Sequence, residues 1–204
     1  MQKESLNKIF SIIGIILIIL GIIAIIITIN NKTIDHILWI CYFFLIISGI
    51  GLLYRNSFII ASQLNLIIIP FLVWNIDFLS NLILSQSLWG ITDYFFASRP
   101  PISQIITAQH IFTIPILIYT LYKIKLKRKD SWKISIAEGI TLFIIVRFFT
   151  NPESNINCAF KSCIPNLDSV LHFIPYSISW IIIFCASIFL TNYILNLLFY
   201  KKSK

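Results

Sequence analysis

Charge is scarce in this chain. Asp, Glu, Lys and Arg together make up 12% of its 204 residues, against about 25% in an ordinary soluble domain. That deficit excludes a globular protein folded around one buried core. The sequence also lacks a Walker phosphate loop, an HExxH pair, a GxSxG elbow and a Rossmann glycine pattern. Nucleotide hydrolysis, zincin chemistry and the α/β-hydrolase reaction therefore lose their usual support. No small-residue cleavage site follows the first apolar run, which is too long for a signal peptide and reads as a retained span. No internal repeat with paired broken helices is visible, as an inverted-repeat transporter would show. Pro70 and Pro115 stand alone.

What the chain has in place of charge is apolar length. It is 58% hydrophobic, with a mean hydropathy of +0.89. Residues 9–29, IFSIIGIILIILGIIAIIITI, contain no charge. A helix of about 20 residues crosses the roughly 30 Å hydrocarbon core of a bilayer. Similar runs at 37–54, 58–74, 104–122, 134–150 and 174–199 predict an all-α integral membrane bundle, one domain over residues 1–204, with six full spans. A seventh segment, 79–97, carries Asn81, Gln86, Asp93 and Gly90. Asp at mid-span disfavours insertion by about 3 kcal/mol. The segment reads as an outer or half-inserted helix, with seven spans as the alternative.

The net charge of +8 comes from basic residues at the ends of apolar runs. This is the cytoplasmic bias of membrane proteins, not a nucleic-acid footprint. With 79–97 outside, Lys3, Lys8, Arg55, Lys201, Lys202, Lys204 and the cluster Lys123, Lys125, Lys127, Arg128, Lys129 and Lys133 all fall inside. The expectation is a plasma (inner) membrane protein with both termini cytoplasmic. The 123–133 loop would touch anionic lipid.

Ionisable groups within spans are functional candidates, because hydrocarbon penalises them. Asp77, Asp93, Arg99, His110, Arg147, Asn151, Glu153, Asn155, Asn157 and His172 gather toward the outer side, while Glu138 alone lies in the inner half. His110 is the sharpest of them. It is flanked by Thr107 and Thr113 on its own face and precedes Pro115, which frees the carbonyl of Ile111. Either it is a neutral histidine bonded to a neighbouring helix, or it is a catalytic or binding group. Arg147 is expected near Glu153 or Asp93, and one or more of Asp77, Asp93, Arg147, Glu153 and His172 near His110. Glu138 is expected to snorkel to the cytoplasmic interface. Cys158 and Cys163, in CAFKSC, either form a disulfide, stay free thiols or, least of all, bind a metal. Asp35 and His36 read as interfacial, and the five tryptophans as belt anchors.

The motifs NID (75–77), LWGITDYFF (88–96), HIFTIP (110–115) and FTNPESNIN (149–157) resemble an uncharacterised family of bacterial multi-pass membrane proteins. That resemblance spans about half of the chain and implies membrane location without an activity. The chain is more weakly similar to the androgen-induced intramembrane hydrolases and their acyltransferase-like bacterial relatives. That similarity implies an intramembrane histidine, matched only by His110, paired with a threonine-type nucleophile. Three functions are thus expected to compete: a binding or assembly role with an outer-facing polar cavity, a lipid hydrolase or acyltransferase with His110 as general base, and a small-solute or ion carrier. The sequence leaves the cofactor unknown.

Overall fold

The computed structural model describes residues 2–97, 100–165, 167 and 174–201. The described residues form helices α1 (Gln2–Asn30), α2 (Ile40–Leu53), α3 (Ser57–Leu84), α4 (Asp93–Phe96), α5 (Pro101–Ile124), α6 (Trp132–Phe149) and α7 (Tyr176–Phe199). Short 3-10 turns sit at Ile34–Leu38, Pro152–Ser154 and Ile156–Cys158. Four helices are long and apolar enough to cross a membrane: Glu4–Asn30, Ser57–Leu84, Pro101–Ile124 and Tyr176–Phe199. The other two long helices fall short of that standard. α2 has 14 residues, about 21 Å of helix. α6 has 18 residues but carries Lys133, Glu138 and Arg147.

The largest departure from the sequence reading concerns residues 75–97. α3 does not end near Trp74. It continues to Leu84, where Ser85 takes a left-handed conformation and stops it. The 79–97 segment is therefore no single helix. Its first third extends α3, residues 85–92 are irregular, and only Asp93–Phe96 are helical again. Helix α3 tolerates Pro70 in its interior, at the loss of one backbone bond to Leu66.

Small residues set the tightest packing. α1 and α2 cross through Gly14 and Gly49. A Cβ added at Gly14 would lie 2.7 Å from the Gly49 carbonyl oxygen, and one at Gly49 would lie 2.5 Å from that of Gly14. Gly21 meets the Tyr42 carbonyl in the same way, at 3.0 Å. Close backbone approach of this kind is how helices associate where lipid removes the hydrophobic drive. Gly139 of α6 lies directly under the Phe184 ring of α7. The turn from α2 to α3 is short because Asn56 caps α3, accepting from the Phe58 and Ile59 amides at 3.0 and 3.2 Å. Phe44, Leu45, Leu52, Leu64, Ile67, Phe71, Leu117 and Leu121 are buried at the centre, bringing α2, α3 and α5 together.

At one end of the bundle the α5–α6 connection is stitched to the end of α7. The Leu126 amide donates to the Phe199 carbonyl at 2.9 Å, and the Lys201 amide to the Leu126 carbonyl at 3.0 Å. Arg128 grips Asp130 with two bonds, of 3.1 and 2.8 Å, which hold the Asp130 carboxyl below the usual carboxylate range. Arg128 also covers the Phe58 ring, 4.2 Å from its centroid, and Lys129 the Tyr200 ring at 4.5 Å.

Candidate functional site

His110 lies nine residues into α5, about 13 Å from its start. This is deeper than the sequence placed it, because the helix begins at Pro101. Its ring is half-buried between two aromatic side chains of α3. The Phe71 centroid is 4.2 Å away, and the Trp74 ring stacks on it at 4.7 Å and 23°. The cluster continues outward. Trp74 stacks on Phe78 at 5.1 Å and donates its indole N–H to the Tyr94 hydroxyl at 3.0 Å. Phe95 and Phe96 of α4 close over Phe78. The Asn75 amide ties the two helices together, donating to the Phe71 carbonyl at 2.7 Å and the His110 carbonyl at 3.0 Å.

The ring nitrogens have local partners. Nδ1 lies 2.7 Å from the Thr107 carbonyl oxygen. A carbonyl only accepts, so Nδ1 carries the hydrogen and Nε2 the lone pair. The Gln109 amide nitrogen is 3.0 Å from Nδ1 and 3.5 Å from Nε2, and only Nε2 can accept from it. The flanking threonines do not serve the histidine. Thr107 donates to the Ser103 carbonyl at 2.8 Å and Thr113 to the Gln109 carbonyl at 2.7 Å. Both hydroxyl protons are engaged within α5, that of Thr113 shared between the Gln109 carbonyl and side-chain oxygens.

The polar residues expected around His110 go elsewhere. Asp77 is 0% exposed, and its carboxylate faces the irregular stretch after α3. It accepts from the Trp89 amide at 2.7 Å, the Thr92 amide at 2.8 Å and the Thr92 hydroxyl at 2.8 Å. Gly90, at φ +74°, makes the turn between these donors. Asp93 is exposed and accepts from Asn81 at 3.2 Å. Arg147 pairs with neither Glu153 nor Asp93. It reaches the Ala159 carbonyl at 3.4 Å and lies over the Phe160 ring at 4.9 Å. Its position at the exposed helix end lets it stay hydrated instead of forming a buried pair. The Glu153 side chain is exposed. Arg99 and His172 lie outside the described residues.

Residues 151–163 form a clasp. Asp35 accepts from the Asn151 amide at 2.9 Å and the Ser154 hydroxyl at 3.2 Å. Asn157 brackets the start of α2, accepting from the Ile40 amide at 3.0 Å and donating to the Leu38 carbonyl at 2.8 Å. Asn155 folds the loop on itself, accepting from the Phe160 and Lys161 amides at 3.0 and 3.1 Å. Asn155 and Asn157 are both left-handed, a conformation that asparagine tolerates better than most residues. Asp35, read from sequence as merely interfacial, is the anchor here. Cys158 and Cys163 are disulfide-bonded, with Cα atoms 5.5 Å apart. Non-reducing mass spectrometry of protein alkylated at harvest should find this peptide unalkylated. Reduction should lower stability by about 2 kcal/mol on the loop-entropy estimate. Full alkylation without reductant would contradict both statements.

A second polar cluster, at the opposite end, escaped the sequence reading. Asn65 of α3 donates to Ser131 at 3.2 Å, to Ser135 at 3.4 Å and to Asn192 of α7 at 3.4 Å. Ser135 donates to the Ser62 carbonyl at 2.8 Å. Glu138 does not snorkel; it accepts from Gln63 at 2.7 Å. The signal was present as Ser62, Gln63 and Asn65 inside one apolar run. Two of the five tryptophans also pack on neighbouring rings: Trp74 stacks on His110, and Trp180 stacks on Phe143 and Phe184 at 4.3 and 4.7 Å.

A groove of about 420 Å³ runs between α1 and α5. Ile13, Leu17 and Leu20 wall one side and Ile105, Ala108 and Phe112 the other, with Gln109 and Thr113 as its polar lining. Gln109 accepts from Thr113 at 3.1 Å and touches the His110 ring, so the histidine borders this groove through Gln109. No group of three or more metal-ligating side chains occurs among the described residues. No protein family, curated protein or solved structure matches the chain.

Proposed function

We propose that the protein is a multi-pass plasma (inner) membrane protein with a binding or assembly role, and that the groove between α1 and α5 takes the acyl chain of a lipid. The groove carries this reading. Its volume is that of a small-ligand site, and its walls are apolar with few polar groups, as such sites require. Ile105 and Phe112 on its rim are 57% and 60% exposed. Both helices that form it carry enough apolar length to lie in hydrocarbon. The medium meeting this rim is lipid. In this reading all six long helices cross, with α2 completed by the turn at Ile34–Leu38, and both termini are cytoplasmic. A disulfide at Cys158–Cys163 suits an outer loop on the oxidising side. The basic 123–133 loop then meets anionic lipid inside.

The hydrolase alternative needs a nucleophile that hands its proton to the histidine. Thr107 and Thr113 donate to backbone carbonyls instead, and among the described residues no carboxylate bonds to the ring. The carrier alternative needs a polar path. Asp77, Asn155 and Asn157 are engaged in holding loops, and the cluster around Asn65 is a separate network at the other end.

A photoreactive fatty acid incorporated into membranes tests the groove. Labelling should concentrate on peptides 13–20 and 105–116. Ala108→Trp, which fills the groove, should cut it severalfold. Labelling spread evenly over all apolar helices, and unchanged by Ala108→Trp, would refute a lipid site here.

A further inference from the structure

Glu138 and Gln63 form a pair whose hydrogen bonding is incomplete as long as the carboxyl is ionised. Gln63 is 0% exposed. Its amide nitrogen donates to Glu138 Oε2 at 2.7 Å. The other two oxygens, Gln63 Oε1 and Glu138 Oε1, are both shielded from solvent and have no donor. An unsatisfied buried acceptor costs about 1–3 kcal/mol, and more if it is charged. One hydrogen on Glu138 Oε1 changes the count. A protonated carboxyl is a donor as well as an acceptor, and it complements a carboxamide. The amide N–H goes to one carboxyl oxygen, and the carboxyl O–H returns to the amide oxygen. We propose that the Glu138–Gln63 pair is a proton-binding site, with Glu138 held as the acid and joined to Gln63 by two opposed hydrogen bonds.

Among the described residues, the surroundings supply no cation bonded to this pair that would favour the ionised form. From α3 the pair is flanked by Ser62 and Asn65, and the one acid of that helix, Asp77, is engaged by Trp89 and Thr92. From α7 the neighbours of this part of α6 are Phe184 at Gly139 and Asn192 at Ser131. The other titratable groups of that helix are Tyr176, bonded to the Cys158 carbonyl at the far end, Cys185 and the exposed Tyr193. On α6 itself, Lys133 lies 3.9 Å from Asp130, and Arg147 lies against Ala159 and Phe160. The turns at Ile34–Leu38 and Ile156–Cys158 pack on α6 with Asp35 and His36; Asp35 is bonded to Asn151 and Ser154.

The chain has only three glutamates, Glu4, Glu138 and Glu153, and the other two are exposed. Infrared spectroscopy of protein carrying ¹³C-labelled glutamate therefore isolates this carboxyl. At pH 7 a protonated-carboxyl band that shifts with the label is expected, and Glu138→Gln should abolish it. Thermal melts give the second reading. The folded protein binds a proton that the unfolded chain releases above about pH 4, so raising the pH favours unfolding. The melting temperature of the wild type should fall as pH rises. That of Glu138→Gln, whose amide reproduces both bonds to Gln63, should lack this component. Absence of the labelled band at pH 7 overturns the proposal, and that measurement needs no variant to fold. A melting temperature that rises with sodium but not with choline would overturn it in favour of a metal-ion site.

Discussion

Asp77→Ala is expected to destabilise the protein by about 3 kcal/mol or more and to release residues 85–97 from the bundle. The carboxylate is wholly buried and accepts two backbone N–H groups and one hydroxyl. Each bond to a charged acceptor contributes about 1.5–3 kcal/mol, and each buried donor left without a partner costs about 1–3 kcal/mol. Water entering the gap would recover part of that. Asp77→Asn should lose less, because one oxygen remains, yet its new NH₂ must face an N–H donor. The measurement is thermal unfolding in detergent together with limited proteolysis. Alanine should open cleavage between Ser85 and Ala97 before the rest of the chain is cut. An alanine variant within 0.5 kcal/mol of wild type, with 85–97 still protected, would show that the latch contributes nothing.

The second large effect is expected at Gly49. Gly49→Leu places a side chain where the Gly14 carbonyl and Ile18 Cγ1 lie 2.5 and 2.6 Å from the new Cβ. A flexible side-chain tip could yield. A backbone carbonyl inside a helix cannot, so α1 and α2 must separate along their length. Overpacking of this kind costs about 1–3 kcal/mol, occasionally more, and the upper end applies here. Gly14→Leu should do the same from the other side. The double variant should then fall short of the sum, because one separation relieves both clashes. Full additivity in thermal melts would mean that the two glycines do not share a contact.

Apolar length made the six long helices legible in the sequence, since nothing else explains runs such as 9–29. Their ends were less so. α3 overran its expected end by ten residues because Asn75, Asp77 and Asn81 look like loop residues in a linear reading. Asn75 bonds across to α5, and Asp77 bonds to a turn twelve residues later. Neither partner can be inferred from spacing along one helix. The same limit governed the candidate site. His110 was singled out for its place inside an apolar run, and it does lie within α5, nine residues from its start. The expectation that acids and bases gather on it rested on a shared end of the bundle, which fixes depth but not direction. Phe71 and Trp74 took that space. Gln63, Asn65 and Asn192 drew no reading from the sequence, because uncharged polar residues in an apolar run give no sign of their partners. Only their meeting across three helices shows why they are there.

The clasp at residues 151–157 and the stitch between Leu126 and Tyr200 have a mechanical consequence. One joins the α1–α2 connection to the end of α6, and the other joins the α5–α6 connection to the end of α7. The clasp closes one end through the Asp35 and Asn157 side chains bonded to main chain, and the stitch closes the other with main-chain bonds alone. The boundary between α1 and α5 is joined mainly by apolar side chains that leave a groove, so it is the seam along which the bundle yields most easily. Gly14 and Gly49 lock α1 to α2, which stays packed on α3, so yielding there is confined to the side of α1 that faces α5. On the proposed lipid-binding role, a hydrophobic guest would enter sideways past the exposed Ile105 and Phe112, with both ends of the bundle still closed.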